Sequence, residues 1–408
     1  MNTTRRQFLS TALGSSAVIS LSSSAPRFLL EAAERESQNK GESILVVLQL
    51  SGGNDGLNTV IPYADDAYHK NRPKLRIAPD DVLNINDSTG FHPAMQGFSD
   101  LLEAGKLSIV QGVGYANPNR SHFESMDIWH TCRHKDETRS DGWLGRFLDG
   151  SAIKGGDVPA IHLGAEKQPL ALAAQSVRTP SIHSLERFRL RAGDNKQLGK
   201  DIQTITAADR IGKNDLLGFV QTSTTSALSA SRRVEQAAAG YKTEINYPDS
   251  GLAQKLKTVA QLIDAGLQTR IYYVTLGGFD THSQQTDAHR ALMGEMSGAV
   301  SAFVQDIAAH DHGKRVLLMA FSEFGRRVKE NASEGTDHGA AAPMFLAGEA
   351  VKPGLVGDQP SLTDLSDGDL KFHTDFRQVY ATILDQWLHW NSRPILGKQY
   401  QSVDCLKT

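Results

Sequence analysis

The stretch ILVVLQL, Ile44–Leu50, runs directly into SGGNDGLN, residues 51–58. An almost continuous run of apolar and β-branched residues that stops at glycines is typical of a strand buried on both faces of a sheet. Three other segments share this pattern, namely Leu107–Val113, Arg270–Leu276 and Arg315–Phe321. The sequence therefore predicts a core of parallel strands.

Amphipathic helical patterns lie between and after these strands. They cover Ala94–Glu103, Phe123–Thr131, Leu216–Tyr241, Leu252–Ala265, Thr286–Ala309 and Phe376–Trp390. Buried strands that alternate with helices indicate an α/β fold, with a mostly parallel sheet covered by helices on both faces. Residues 155–250 differ, because they are rich in Gln, Ser, Thr and Ala and have only short apolar pieces, so we predict an insertion or cap there.

The N-terminus has the features of an export signal. Arg5 and Arg6 precede Phe8-Leu9, and an uncharged, weakly apolar run follows from Ser10 to Ala25. Paired arginines before such a run resemble the twin-arginine consensus. We predict a signal over residues 1–33, with an open cleavage site, and one domain over 34–408. The expected location is periplasmic or secreted, with the twin-arginine translocase as partner during export; the alternative is a chance arginine pair.

Composition narrows the function classes. The formal net charge is -3, with acidic and basic residues nearly balanced, which argues against nucleic acid as a partner. No later segment offers the roughly 18 consecutive apolar residues of a membrane span, so none is expected in the mature form. The two cysteines, Cys132 and Cys405, lie in no metal-binding spacing.

Residues that bind metals follow the predicted strands. In parallel sheets the carboxyl ends of the strands meet at one edge, where ligands bind. Carboxylates and imidazoles at this edge predict a divalent-metal site, in which histidine favours zinc or manganese and oxygen ligands suit magnesium or calcium. The candidate ligands are Asp55, Asp280, His282, Glu323, Asp337 and His338. Each alone has a structural alternative, such as a capping aspartate or, for Glu323, an ion pair with Arg326 or Arg327.

Ser121 is a candidate nucleophile. It stands just before a predicted helix, where the positive end of the dipole and free backbone N–H groups can hold a phosphate or sulfate. Arg120 beside it would add a contact to the anion. The alternative is a capping box in which Ser121 caps the helix and Glu124 completes the motif.

Together, several motifs resemble an uncharacterised family of twin-arginine-exported, sulfatase-like bacterial proteins, domain-of-unknown-function family 1501. These motifs are Gly52–Thr59, Ser121–Phe123, Gly142–Arg146, Gly278–His282, Ser322–Arg326 and Asp375–Ala381. The resemblance spans nearly all of the chain after the signal. It implies an alkaline-phosphatase-like fold and one or two divalent cations.

The resemblance also implies roles for particular residues. By order along the chain, Asp55 takes the place of the first-strand ligand and Ser121 that of the nucleophile. Asp280 with His282, and later His338, take the places of further ligands, although the tight spacing of the first pair makes His289 a competing candidate. Glu323 stands where related enzymes have aspartate, and no cysteine lies in a formylglycine motif, so a conventional sulfatase is disfavoured.

These observations predict an exported, metal-dependent hydrolase of phosphate or sulfate esters, with a small-molecule or polymer ester as substrate. The catalytic candidates are Ser121 and Arg120. The altered ligand set supports a second hypothesis, a non-catalytic exported module of the same fold that binds polysaccharide or a partner protein.

Overall fold

The computed structural model describes residues 42–151, 158–182 and 240–407. The predicted signal over residues 1–33 lies outside this range. So do most of the predicted insertion and nearly all of the helix predicted over Leu216–Tyr241.

Fourteen strands occur in the described ranges. Their bounds are β1 Ile44–Leu50, β2 Val60–Ile61, β3 Leu83–Asn84, β4 Gly90–Phe91, β5 Leu107–Gly114, β6 Ala160–Leu163, β7 Ser181–Ile182, β8 Ile271–Leu276, β9 Val316–Ser322, β10 Ala342–Ala347, β11 Gly354–Val356, β12 Leu365–Ser366, β13 Asp369–Leu370 and β14 Thr374–Asp375. Nine of them form the central sheet in the order β11-β5-β10-β9-β1-β8-β6-β7, with β14 beside β5.

The central sheet is mostly parallel, as predicted. β1 lies in its middle and pairs in parallel with β8 and β9, so that Val46 stands opposite Tyr272 and Leu318. β10 runs antiparallel to both β9 and β5, while the remaining pairings in this sheet are parallel. The strands that carry the candidate ligands therefore all end at the same edge.

Eight α-helices lie in the described part of the chain. Their bounds are α1 Asp66–Asn71, α2 Gln96–Glu103, α3 His122–Thr131, α4 Trp143–Gly150, α5 Gly251–Asp264, α6 Gln285–Ala309, α7 Phe376–Thr382 and α8 Ser392–Leu396. Short 3-10 turns occur at Gly56–Asn58, Pro79–Asp81, Leu170–Leu172 and Gly313–Arg315. Within these ranges, no helix has both the length and the apolarity needed to cross a membrane.

Helices cover both faces of the sheet, as predicted. Successive residues of β1 point to opposite faces. Val46 and Leu48 pack in one core with α2, α5 and α6, whereas Leu45 and Val47 pack in a second core with α3, α4, α7 and α8. The prediction of an α/β fold with a strand buried on both sides is confirmed.

The single helix predicted over Phe376–Trp390 is wrong in its second half. The α-helix ends at Thr382, a π-helical turn follows at Ile383–Trp387, and α8 starts anew at Ser392. The Trp387 indole N–H donates to the carbonyl oxygen of Ile44 over 3.0 Å. The apolar pattern continues through the turn because the buried residues there face the same core, and periodicity does not reveal such a change of helix type.

Part of the region predicted as an insertion joins the central sheet. β6 pairs in parallel with β8, and β7 pairs with β6, which extends the sheet on that side. Their apolar runs are too short to stand out in the sequence as buried strands. The role of residues 183–239 as a cap stays a prediction.

Candidate metal centre

Four segments bring polar side chains to the carboxyl edge of the sheet. His122 begins α3 after β5, Asp280 and His282 follow β8, Glu323 follows β9 directly, and His338 lies between β9 and β10. The connections are short, and the strands are held in register by the sheet. Residues distant in sequence therefore meet at this edge.

One oxygen of Asp280 lies at the centre of a group of imidazoles. Its Oδ1 is 3.4 Å from Nε2 of His122, 3.0 Å from Nε2 of His282 and 3.1 Å from Nε2 of His338. The two Nε2 atoms of His282 and His338 are 3.0 Å apart. Donor atoms of His122, Asp280 and His338 all lie within 4.8 Å of one another, as expected of side chains that can hold a metal ion. We call His122, Asp280, His282 and His338 the imidazole cluster.

The other nitrogen of each imidazole faces an acceptor. Nδ1 of His122 lies 2.9 Å from Oε1 of Glu323, and Nδ1 of His338 lies 2.7 Å from the carbonyl oxygen of Arg120. Nδ1 of His282 is 3.5 Å from Oδ1 of Asp337. A proton held on Nδ1 by its acceptor leaves the lone pair on Nε2, and that lone pair is what binds a metal.

Glu323 is buried behind His122. Its Oε1 also accepts from the backbone N–H of Gly52 over 2.9 Å, and its Oε2 accepts from the Ser322 hydroxyl over 3.0 Å. The hydrogen bond to Glu323 raises the pKa of His122 above its ordinary value. Thus Glu323 contacts the imidazole, and its hydrogen bonds fix the direction of that ring.

Arg326 holds three loops of the centre together. Its buried guanidinium donates to the carbonyl oxygens of Gly53 at 2.7 Å, Thr336 at 2.8 Å and Phe279 at 2.9 Å, and to Oδ1 of Asp280 at 2.8 Å. Burial raises the pKa of Asp280, but the hydrogen bond and the positive charge of Arg326 outweigh it and hold this pKa well below its ordinary value. Asp280 is therefore a carboxylate at neutral pH.

Asp55 lies in a separate, fully buried network. Its Oδ2 accepts from the Arg72 guanidinium and from the Gln285 amide, and both members of the Arg72–Asp55 ion pair have 0% exposed side chains. Burial raises the pKa of Asp55, and the attraction of Arg72 outweighs it, so the pKa is lowered. Oε1 of Gln285 accepts from the hydroxyls of Thr281 and Thr336. We call Asp55, Arg72 and Gln285 the buried network.

His289, the competing candidate, also lies beside the buried network. Its Nε2 is 3.3 Å from Oδ1 of Asn54, and its ring stands edge-on to that of His92. Burial lowers the pKa of His289 to about 4 and that of His92 to about 3, so both are neutral at neutral pH.

Ser121 is exposed and immediately precedes α3. Its side chain makes no capping hydrogen bond, and Glu124 is paired with Arg139 at 2.5 Å instead. The alternative of a capping box at this helix is therefore wrong, because the carboxylate is drawn away by a nearby arginine. The Ser121 hydroxyl therefore forms no cap, and Ser121 stands next to His122 of the imidazole cluster.

The Arg120 side chain does not point to the imidazole cluster. Its guanidinium donates to Oδ2 of Asp369 at 2.7 Å and to Oδ2 of Asp367 at 2.9 Å. Only its backbone carbonyl reaches the centre, through Nδ1 of His338. The Arg120 guanidinium is thus paired with Asp367 and Asp369, which are distant in sequence, and is not directed to a substrate anion as the sequence suggested.

The structure brings together three of the six residues predicted to bind metal, Asp280, His282 and His338. Glu323 and Asp337 lie behind the imidazoles, and Asp55 lies in the buried network. Sequence reasoning did not single out His122. The available signal was its position, next to Ser121 at the same strand end as the predicted nucleophile.

Comparisons with solved structures give low identities. The chain is similar to the zinc complex of the C-terminal periplasmic domain of EcEptC from Escherichia coli, at 9% identity over 76% of this chain and 74% of that chain, with a TM-score of 0.37. It is similar to the PsFucS1 sulfatase from Pseudoalteromonas sp., at 10% identity over 92% and 72%, with a TM-score of 0.37. It is also similar to a protein in the alkaline phosphatase superfamily from Vibrio parahaemolyticus, at 9% identity over 78% and 63%, with a TM-score of 0.37.

Family membership rests on a different comparison. None of the curated proteins matches the chain. A family model, described as protein of unknown function (DUF1501), matches residues 42–392. That match covers most of the chain, including every segment of the imidazole cluster and the buried network. The chain therefore belongs to the DUF1501 family of proteins of unknown function, as the motif resemblance predicted.

Proposed function

We propose that this protein is a metal-dependent hydrolase of phosphate or sulfate esters. The observation that carries the proposal is the convergence of three imidazole Nε2 atoms on Oδ1 of Asp280. The residues fit a metal, because Nε2 of His122 is buried and has no hydrogen-bond partner among the described residues. His122, Asp280, His282 and His338 would hold the ion.

A divalent cation held there supplies positive charge to the ester oxygens and acts as a Lewis acid. The chain itself supplies the rest. The exposed hydroxyl of Ser121 is the candidate nucleophile, and the N-terminus of the ten-residue helix α3 offers its dipole to the anionic group. Arg326 keeps Asp280 ionised and in place. The half-exposed cluster gives an ester access to these groups.

Metal content and esterase activity test this proposal together. The purified protein should contain stoichiometric divalent metal and hydrolyse members of a panel of aryl phosphates and aryl sulfates. His338→Ala should lose both metal and activity. Ser121→Ala should keep its metal and lose activity by about 100-fold or more, as expected of a lost nucleophile.

The control for Ser121→Ala is Ser402→Ala, which removes an exposed hydroxyl near the C-terminus and should change nothing. If the protein holds no stoichiometric divalent metal, the proposal fails. If Ser121→Ala hydrolyses the panel as fast as the wild type, Ser121 has no part in the mechanism.

The engaged side chain of Arg120 favours a second candidate, a non-catalytic exported module that binds polysaccharide or a partner protein. A centre without a free arginine has fewer groups to hold an ester anion. For this candidate, the protein would bind metal and an anionic polysaccharide, yet show no turnover with any ester of the panel.

We also propose export by the twin-arginine pathway to the periplasm or beyond. The support is the Arg5-Arg6 pair and the uncharged run after it. Replacing both arginines by lysine should leave the full-length protein inside the cell, as fractionation would show. Unchanged export of that variant would contradict this part of the proposal.

A further inference from the structure

We infer that the imidazole cluster binds a single zinc-class ion through four donors, which are Nε2 of His122, His282 and His338 and Oδ1 of Asp280. Glu323 and Asp337 orient two of the imidazoles from behind and do not touch the ion. This inference rests on the metal site of the proposed function and deepens it. Its test does not depend on hydrolysis.

The separations between donor atoms fit one small ion. With bonds of about 2.0–2.1 Å, the donors around tetrahedral zinc lie roughly 3.3 Å apart. In the cluster, Oδ1 of Asp280 lies 3.0 to 3.4 Å from the three Nε2 atoms. Nε2 of His282 and Nε2 of His338 are 3.0 Å apart. Four of the six separations between donor atoms are thus near the spacing of a coordination shell, and the donors of His122, Asp280 and His338 lie within 4.8 Å of one another.

The protonation of the imidazoles fits as well. Glu323, Asp337 and the Arg120 carbonyl each face an Nδ1 atom, and so each fixes the tautomer whose Nε2 is a ligand. A carboxylate or carbonyl behind a metal-binding histidine is the usual arrangement in zinc proteins. Glu323 and Asp337 therefore have a defined role away from the ion.

The donor types select the class of ion. Three imidazole nitrogens and one carboxylate oxygen suit zinc and its transition-metal neighbours. Calcium and magnesium require shells made almost entirely of oxygen. Asp280 also accepts from Arg326 through the same oxygen, which leaves a second lone pair on that atom for the ion.

Oδ1 of Asp55 has no hydrogen-bond partner among the described residues, but this carboxylate already has a cation beside it. That carboxylate is fully buried, and the Arg72 guanidinium already lies against it. Nε and Nη2 of Arg72 donate to the carbonyl oxygens of Val328 and Arg327, both over 2.9 Å, which fixes the guanidinium in position. The chain therefore supplies its own cation at this strand end, and the expected stoichiometry is one ion.

The decisive experiment measures metal identity and stoichiometry. Chelator-treated protein is dialysed against an equimolar mixture of zinc, manganese, magnesium and calcium, and the bound ions are determined by elemental analysis. We expect one zinc-class ion per chain, retained when calcium or magnesium is in large excess. Two ions per chain, or calcium or magnesium bound in place of zinc, would overturn the inference.

Variants then separate ligands from orienting residues. His122→Ala and His282→Ala should abolish stoichiometric zinc binding. Glu323→Gln and Asp337→Asn should keep one ion per chain and weaken zinc affinity by about 10-fold to 100-fold, as measured by competition with a chromogenic chelator. The matched controls are Asp404→Asn and His312→Ala, which should bind zinc as the wild type does. Circular dichroism of each metal-free variant confirms that it is folded.

If Glu323→Gln loses zinc as completely as His122→Ala does, Glu323 is a ligand and the assignment is wrong. Because His282 is only half-buried, His282→Ala should fold even if a more buried variant fails, so the ligand set stays testable. The outcomes also separate the two proposals. Zinc without any ester hydrolysis removes the proposed function alone, two ions or calcium remove this inference alone, and no metal removes both.

Discussion

The imidazole cluster and the buried network lie at the same edge of one sheet, and each contains an aspartate that follows a central strand. They differ in exposure and in the groups that surround the carboxylate. Asp280 is 49% exposed and contacts three imidazole Nε2 atoms as well as Arg326, whereas Asp55 is 0% exposed and is paired with Arg72. A carboxylate at a strand end is therefore a candidate ligand or a structural residue according to its exposure and to whether imidazoles surround it.

The largest expected effect is that of breaking the buried ion pair. Arg72→Met leaves the buried Asp55 carboxylate without a positively charged partner, which costs about 3–5 kcal/mol of folding free energy. The double variant Arg72→Met with Asp55→Leu should recover part of this loss, since no charge is left unpaired. Urea unfolding measures both, and zinc content should stay at the wild-type level where the protein folds.

This comparison fails if Asp55→Asn folds and yet binds no zinc, because Asp55 would then be a ligand. It also fails if the single and double variants lose the same free energy, which would mean that the ion pair contributes nothing beyond packing.

Acid should weaken the fold through His289. Its pKa is about 4 in the folded protein because of burial, against about 6.5 in an unfolded chain. Between these values the unfolded chain binds a proton that the folded protein does not, so stability falls as pH falls from about 6.5 to about 4. His289 alone contributes up to about 1.4 kcal/mol per pH unit to this slope. Urea unfolding at several pH values should show it in the metal-free protein.

His289→Asn should reduce this slope by the share of one imidazole, whereas the exposed control His389→Asn should keep it; the slope that remains belongs to other buried histidines such as His92. Equal slopes in the wild type and in His289→Asn would show that His289 is not buried in its neutral form. Water would then reach the buried network, and it would not differ from the imidazole cluster in burial.

Removal of the metal should lower the free energy of unfolding, by less than either change above. An ion present at 100 times its Kd stabilises the folded state by about 2.7 kcal/mol. A chelator should therefore lower the Tm of the wild type and leave the Tm of His282→Ala unchanged. An equal shift in both proteins would place the stabilising ion outside the imidazole cluster.

A further effect should come from the residue that joins the two regions, whose replacement removes no charge. Gln285→Leu leaves Asp55, Thr281 and Thr336 short of a hydrogen-bond partner, which costs about 1–3 kcal/mol. Because Thr281 and Thr336 flank the ligand loops, zinc affinity should also fall, by about 10-fold. Chelator competition and urea unfolding measure the two effects. A loss of stability without any change in affinity would make the two regions independent.

The sequence by itself determined the sheet and most of its helices. The runs at Ile44–Leu50 and Arg270–Leu276 have little polar surface, so only a two-sided burial can accommodate them. The candidate ligands Asp280, His282 and His338 also followed from the sequence, since strand ends of a parallel sheet must share an edge.

Only the tertiary structure decided how the remaining polar residues are used. Arg72 pairs with Asp55, Asp369 pairs with Arg120, and Glu323 contacts His122. None of these pairs is formed by neighbours in the sequence. A side chain's role depends on which opposite charge lies within a few ångströms and how much water reaches it. A local motif contains neither quantity, because both are set by the packing of segments that are distant in sequence.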